Sequence, residues 1–230
     1  NIDLESVEPM LTLCKENPDL CIPMMGLHPC DVKDNFREML ATMRQFFNSE
    51  KFIAVGEIGI DLYWDKSTLS KQVEAFEIQI EWAKELQLPI VIHARDAFDE
   101  IFNVLDRVYD SRLRGVFHCF TGTREHANKI MSYPNFLMGI GGVLTYEKSG
   151  LDEVVKDIPI EYIVLETDAP FLAPKPYRGK RNESSFVKFV AEKLADIKRM
   201  SYQEIAIATS SNADSLFGWS RFSVSNKSVL

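Results

Sequence analysis

Long apolar runs are missing from this sequence of 230 residues. No stretch approaches the ~20 apolar residues that a membrane span needs. The opening NIDLESVEP carries acids where a secretory signal would place basic residues ahead of an apolar run. Both absences predict a soluble, cytoplasmic chain. Cysteine is scarce: Cys14, Cys21, Cys30 and Cys119 form no CxxC pair, and a chain of this length needs no disulfides to hold a core, so they read as reduced packing residues. An excess of positive charge is also lacking. A formal net charge of −8 excludes a protein that coats nucleic acid through an extended basic surface, so a nucleic-acid ligand would have to be drawn by bound metal ions or a local basic patch. There is no GxSxG elbow and no GxxxxGK[ST] loop, and the glycines at 139, 141 and 142 do not make GxGxxG. These gaps remove serine-hydrolase, P-loop and dinucleotide-binding readings. No repeat or low-complexity tract is present.

What remains is an alternation of short Val-, Ile- and Phe-rich runs with longer amphipathic stretches, the pattern of βα units carrying a parallel sheet. Strands are predicted at 21–26, 52–57, 89–94, 115–120, 136–141 and 162–167. Helices are predicted at 3–16, 34–48, 70–87, 97–109, 124–132, 150–157, 183–198 and 202–217. The stretch 70–87 is clearest, because Val73, Phe76, Ile80, Ala83 and Leu86 recur at helical steps and Pro89 follows. The fold class expected is α/β, a (β/α)8 TIM-type barrel lacking its first one to two strands, since such a barrel needs eight. A preceding segment of roughly 30 to 50 residues is expected on that reading. An open six-stranded sheet is the alternative. Residues 1–218 read as one barrel domain and 219–230 as a peripheral tail.

Titratable residues gather at the carboxyl ends of these strands: His28 beyond the first, Glu57 on the second, then His93, His118 and Asp168. In a barrel those ends converge on one mouth, so residues far apart in sequence become neighbours. Two imidazoles and two carboxylates suit a divalent ion such as Zn, Mn or Mg. Each alone has a plainer reading, a hydrogen-bonded histidine or a capping acid; together they point to metal. His126 reads as a solvated helix residue, and Cys119, next to His118 on a strand, as packing. The glycines at 139 to 142 either let backbone approach the mouth or form a plain turn.

The quoted residues lie in G-L-H-P (26–29), G-E-I-G-I-D (56–61), V-I-H-A-R (91–95), H-C-F-T-G (118–122), L-E-T-D-A-P (165–170) and R-G-K-R-N-E (178–183). In these motifs, and in S-N-A-D-S-L-F at 211–217, the chain resembles the TatD-type deoxyribonucleases over essentially all of residues 1–218. That resemblance implies a metal-dependent hydrolase of the amidohydrolase-like barrel group, acting on DNA ends, with Glu57, His93, His118 and Asp168 as metal ligands. Two departures stand out. The H-x-H pair that opens many members is not in this chain, and N-E-S-S at 182–185 replaces the frequent N-E-P.

The mechanism expected is phosphodiester hydrolysis with divalent metals, two in number. Asp168 both touches metal and takes the proton of the attacking water. His28 and Arg95 meet phosphate oxygens or the leaving group, and Glu166 supports the metal ligands from behind. Lys175, Arg178, Lys180 and Arg181 form the basic cluster on an acidic chain, with Arg178, Lys180 and Arg181 as contacts to DNA phosphates. DNA is the expected partner, with no membrane and no obligate protein partner. The rival readings are a barrel metallohydrolase acting on a small amide, lactone or phosphoester, and an inactive or non-enzymatic binding protein.

Overall fold

Residues 1–218 are described in the computed structural model; the tail expected at 219–230 lies outside them. The chain packs as two compact units, Asn1–Gly115 with the residues from Ser215, and Val116–Asp214.

In the first unit α1 (Val7–Glu16) and α2 (Phe36–Phe46) precede β1 (Val55–Asp61), α3 (Leu69–Leu86), β2 (Ile90–Arg95) and α4 (Phe98–Val108). β1 and β2 run parallel, from Val55 opposite Ile90 to Asp61 opposite Arg95, with a register irregularity between Gly56 and Ile58. Both strands are buried at their start, as expected where each face of a parallel sheet is covered. α3 ends because Gln87 takes a left-handed conformation at φ 56° and Leu88 and Pro89 lead straight into β2. Gly59 is a position only glycine fits: its φ is 141°, and a Cβ there would lie 2.1 Å from the His93 carbonyl oxygen.

The strand predicted at 21–26 is reduced to a single bridge between Met25 and Val55. Pro23 supplies no N–H to a ladder, so the segment's bonds to residues 53–56 are three: the Met25 N–H to the Ala54 carbonyl, the Gly56 N–H to the Met25 carbonyl and the Ile53 N–H to the Pro23 carbonyl. β1 also starts and ends later than the sequence pattern indicates, reaching Asp61 through Gly59, a residue that ordinarily weakens a strand.

In the second unit β3 (Gly115–Phe117) is followed by α5 (Arg124–Met131), β4 (Phe136–Ile140), α6 (Leu151–Asp157), β5 (Ile163–Leu165), α7 (Val187–Lys198) and α8 (Tyr202–Phe217). β4 and β5 are parallel, Met138 opposite Ile163 and Ile140 opposite Leu165. Phe117, Phe120, Phe136, Met138, Leu144, Val155, Ile163 and Leu194 make its core. Each such side chain contributes about 1.5–3 kcal/mol by leaving water. The chain dives from β3 into a turn at His118 and Cys119, where Phe120 N–H donates to the Gly139 carbonyl at 2.8 Å. No helix among the described residues is long and apolar enough to cross a membrane.

Candidate metal centre

On β1 the residues 57, 59 and 61 alternate onto one face, and His93 on β2 meets them there. His93 Nδ1 lies 2.9 Å from Glu57 Oε1, and its Nε2 lies 2.9 Å from Asp61 Oδ2. His28, which caps the short turn Pro29–Asp31, brings its Nε2 to 3.3 Å from His93 Nδ1 and 3.8 Å from Glu57 Oε1. The donor atoms of His28, Glu57 and His93 therefore converge on one point. Their separations bracket ~3.3 Å, the edge of a tetrahedron whose metal–ligand bonds are about 2.0–2.1 Å. These residues fit a divalent ion. Asp61, 2% exposed, holds the far nitrogen of His93, the arrangement that fixes a metal-binding imidazole in one tautomer.

The electrostatics follow from this packing. Burial pushes the His28 imidazolium down, with His93 adding to it, against the raising pull of Glu57. Burial also pushes His93 down, but its hydrogen bonds to Asp61 and Glu57 outweigh that and raise it above its ordinary value. Burial pushes the Asp61 carboxyl up, yet hydrogen bonds from His93, the Tyr63 N–H and the Cys30 thiol bring it down to about 2. Cys30 is pushed up to about 12 by burial and by the Asp61 carboxylate.

The second unit repeats the device. His118 Nδ1 lies 2.7 Å from Glu166 Oε2, and the Cys119 N–H donates to Glu166 Oε1 at 2.9 Å. The other nitrogen of His118 lies 3.5 Å from Asp168 Oδ1. Gly139 makes room for this, since a Cβ there would sit 2.5 Å from Glu166 Oε2. Asp168 sits at φ 52° on the loop after β5. That loop is pinned by Asn182, which is 2% exposed. The Asn182 side-chain amide donates to the Thr167 and Phe171 carbonyls at 2.5 and 2.6 Å, and its backbone N–H to the Pro170 carbonyl at 3.0 Å.

The structure thus groups Glu57 and His93 in one unit and His118, Glu166 and Asp168 in the other. His28, expected at a phosphate, stands with Glu57 and His93 in the metal-ready triplet. Arg95 lies with its guanidinium 3.7 Å from the Tyr63 ring centre. Of the basic loop, Lys175 pairs with Glu147 at 2.5 Å and Arg178 covers the Tyr146 ring at 4.3 Å, while Lys180 and Arg181 are exposed. His126 is a helix residue that also caps its helix, forming a capping box with Thr123 at the start of α5. Cys119 lies beyond the end of β3, at φ 45°. Asp61 and Asn182 are the residues that sequence reasoning passed over. Asp61 shares its strand face with Glu57 once β1 is extended, so alternation could have found it. Asn182 carries no periodic signal.

The chain is similar to known proteins along its whole described length. The family described as TatD related DNase matches residues 1–218. The "uncharacterized metal-dependent hydrolase YabD" of Bacillus subtilis is 44% identical over 88% of this chain and 79% of its own length. A protein of Erwinia tasmaniensis named "3'-5' ssDNA/RNA exonuclease TatD" is 34% identical over 90% of this chain and 82% of its own. Among solved structures, YjjV, a TatD homologue from Escherichia coli K12, superposes with a TM-score of 0.88 at 29% identity, over 95% of this chain and 84% of that one.

Proposed function

Because the chain belongs to the TatD-related DNase family of metal-dependent hydrolases, with the α/β fold of its TIM-barrel relatives, we propose that it cleaves phosphodiester bonds in DNA from the ends of single strands. The observation that carries this reading is the convergence of His28, Glu57 and His93 donor atoms with Asp61 fixed behind His93. The family membership and the relatives' names supply the substrate class. We assign Glu57, His93, His118 and Asp168 as metal ligands, add His28 to them, and put the number of divalent ions, Mg, Mn or Zn, at two.

When bound, such ions lower the pKa of water and offset the charge that develops on the phosphate. The protein's own residues do the rest. Asp61 and Glu166 each hold one ring nitrogen of a proposed ligand histidine, which would leave the opposite nitrogen unprotonated and able to hold an ion. Asp168 accepts the proton of the attacking water. Arg95, Arg178, Lys180 and Arg181 meet the phosphates of the strand, which supplies the positive charge this acidic chain otherwise lacks.

Metal analysis of the purified protein, paired with cleavage of end-labelled oligonucleotides, tests the reading. The expected result is stepwise shortening from one end, abolished by EDTA and restored by a divalent ion. His93→Ala should lose metal and cleavage together. His126→Ala should keep both and lose about 1 kcal/mol of stability with its cap. Full metal content with no cleavage of any oligonucleotide, and turnover of a small phosphoester instead, would make the chain a small-molecule hydrolase.

A further inference from the structure

Beside the His28, Glu57 and His93 cluster, in the same unit, the chain leaves two large aromatic side chains in solvent. Tyr63 is 54% exposed and Trp64 73% exposed. Their rings meet edge to face, 4.8 Å apart at 89°. The Arg95 guanidinium lies over the Tyr63 ring and 5.6 Å from the centre of Trp64. Arg95 has no acidic partner within ion-pair distance among the described residues. At 73% exposed, Trp64 keeps most of its ring open to a ligand while meeting the Tyr63 ring and the Arg95 guanidinium.

The group is wired to the metal-ready residues. The Tyr63 N–H donates to Asp61 Oδ1 at 3.0 Å, and the Leu62 N–H donates to the Arg95 carbonyl at 2.9 Å. Arg95 follows His93 by two places on β2, so both side chains leave the same face of the strand. The loop behind the aromatic pair is held in one shape. Asp65 accepts from the Ser67 N–H at 2.8 Å, Thr68 Oγ1 donates to the Asp65 carbonyl at 3.0 Å, and Gln72 reaches Thr68 at 2.8 Å. A rigid aromatic wall, a cation without an acid, and a metal-ready cluster next to both are the ingredients of a nucleotide subsite.

We propose that Trp64, Tyr63 and Arg95 form a stacking subsite for one unpaired nucleobase of a single strand, next to the phosphate being cut. The base lies on the open face of Trp64. Tyr63 holds the Arg95 guanidinium flat, and its free N–H groups bind the phosphate that flanks the base. Every base has a π face, so the subsite is tolerant of sequence; a base inside a duplex has no free face, so it selects single strands. This inference rests on the nuclease reading and adds to it the means of strand selection.

The test uses the intact protein with Mn2+ and a non-cleavable phosphorothioate oligothymidylate, followed by fluorescence anisotropy. The wild type should bind the intact strand about tenfold or more tighter than a strand made abasic at its terminal nucleotide, the size of one lost stack. Trp64→Ala should bind intact and abasic strands alike, and Trp64→Phe should restore most of the difference. Since Trp64 is exposed, metal content and melting temperature should not move. Equal binding of intact and abasic strands by the wild type, or an undiminished difference in Trp64→Ala, would overturn the subsite. If the wild type still shortens end-labelled oligonucleotides in that case, the nuclease reading stands without it. If it neither binds nor cuts them, both fall.

Discussion

His93 is the residue on which most of the chemistry turns, because its two nitrogens face different partners. Nδ1 points at Glu57 and His28, and Nε2 at Asp61. With both carboxylates close, the metal-free imidazole keeps its proton to a higher pH than an ordinary histidine. An ion arriving at Nδ1 must displace that proton, so metal affinity should rise with pH through and beyond the usual imidazole value of about 6.5. Asp61→Asn removes one of the charges holding the proton. The rise should then begin at lower pH, while the affinity reached at high pH drops about 10- to 100-fold because Nε2 is less firmly held. Calorimetric titration of EDTA-stripped protein across pH reads both effects, and identical profiles for the two proteins would show that Asp61 has no hold on His93. The same pair sets a stability window in the metal-free protein. The raised His93 contributes stability that is complete below its unfolded value and lost as pH rises through its folded one. The depressed Asp61 contributes above 3.8, and loses it as pH falls toward about 2. Asp61→Asn should therefore destabilise most between those limits and less at alkaline pH, which urea denaturation at several pH values will show.

At the scale of elements, α3 does more than cover the sheet. Gln72 and Gln79, two turns apart and both buried, each grip one residue's backbone at two points. Gln72 accepts from the Asp61 N–H at 2.8 Å and donates to its carbonyl at 3.0 Å. Gln79 does the same for Leu27, at 2.7 and 3.3 Å. One helix thus fixes Asp61 and the residue before His28. Gln79→Leu should strand a buried N–H and carbonyl, costing about 1–3 kcal/mol each in the limit of no relaxation. It should also loosen His28, so that metal affinity falls along with the melting temperature. Gln45→Leu, on the exposed surface of α2, is the control that should change neither by much. A normal metal affinity in Gln79→Leu would mean that His28 is placed by its own turn alone. These glutamines also show where the sequence stops being legible. Val73, Phe76, Ile80 and Ala83 announce α3 through their spacing, and the Ile- and Val-rich run at 89–94 announces the strand bearing His93. A polar side chain that satisfies the backbone of a segment dozens of residues away follows no period. Gln72, Gln79 and Asn182 are therefore invisible, whereas β1 reads short for another reason, the glycines at 56 and 59 that interrupt its pattern before Asp61. The residues 21–26 misled in the opposite direction, since their apolar pattern says strand while Pro23 withholds the N–H that a ladder needs.

For the molecule as a whole, the constraint is a net charge of −8 on a protein proposed to bind a polyanion. Attraction must then be local, and the structure narrows where it resides. Lys175 is matched by Glu147, and Arg178 lies against Tyr146, so part of the basic loop is engaged at home. Lys180 and Arg181 are exposed and have no ion-pair partner among the described residues. If they grip the strand, replacing both by Ala should raise KM for oligonucleotides while metal content and kcat stay close to wild type, because uniform binding is lost and the reacting centre is not touched. Salt dependence gives the sharper reading. Each phosphate contact removed should flatten the slope of log K against log salt by about 0.7 on a single strand. The Trp64→Ala variant provides the contrast, since a lost stack lowers affinity without altering that slope. A double variant that binds with unchanged slope would reduce the loop to a solvated connection, and Arg95 and the metal ions would then have to supply the attraction by themselves.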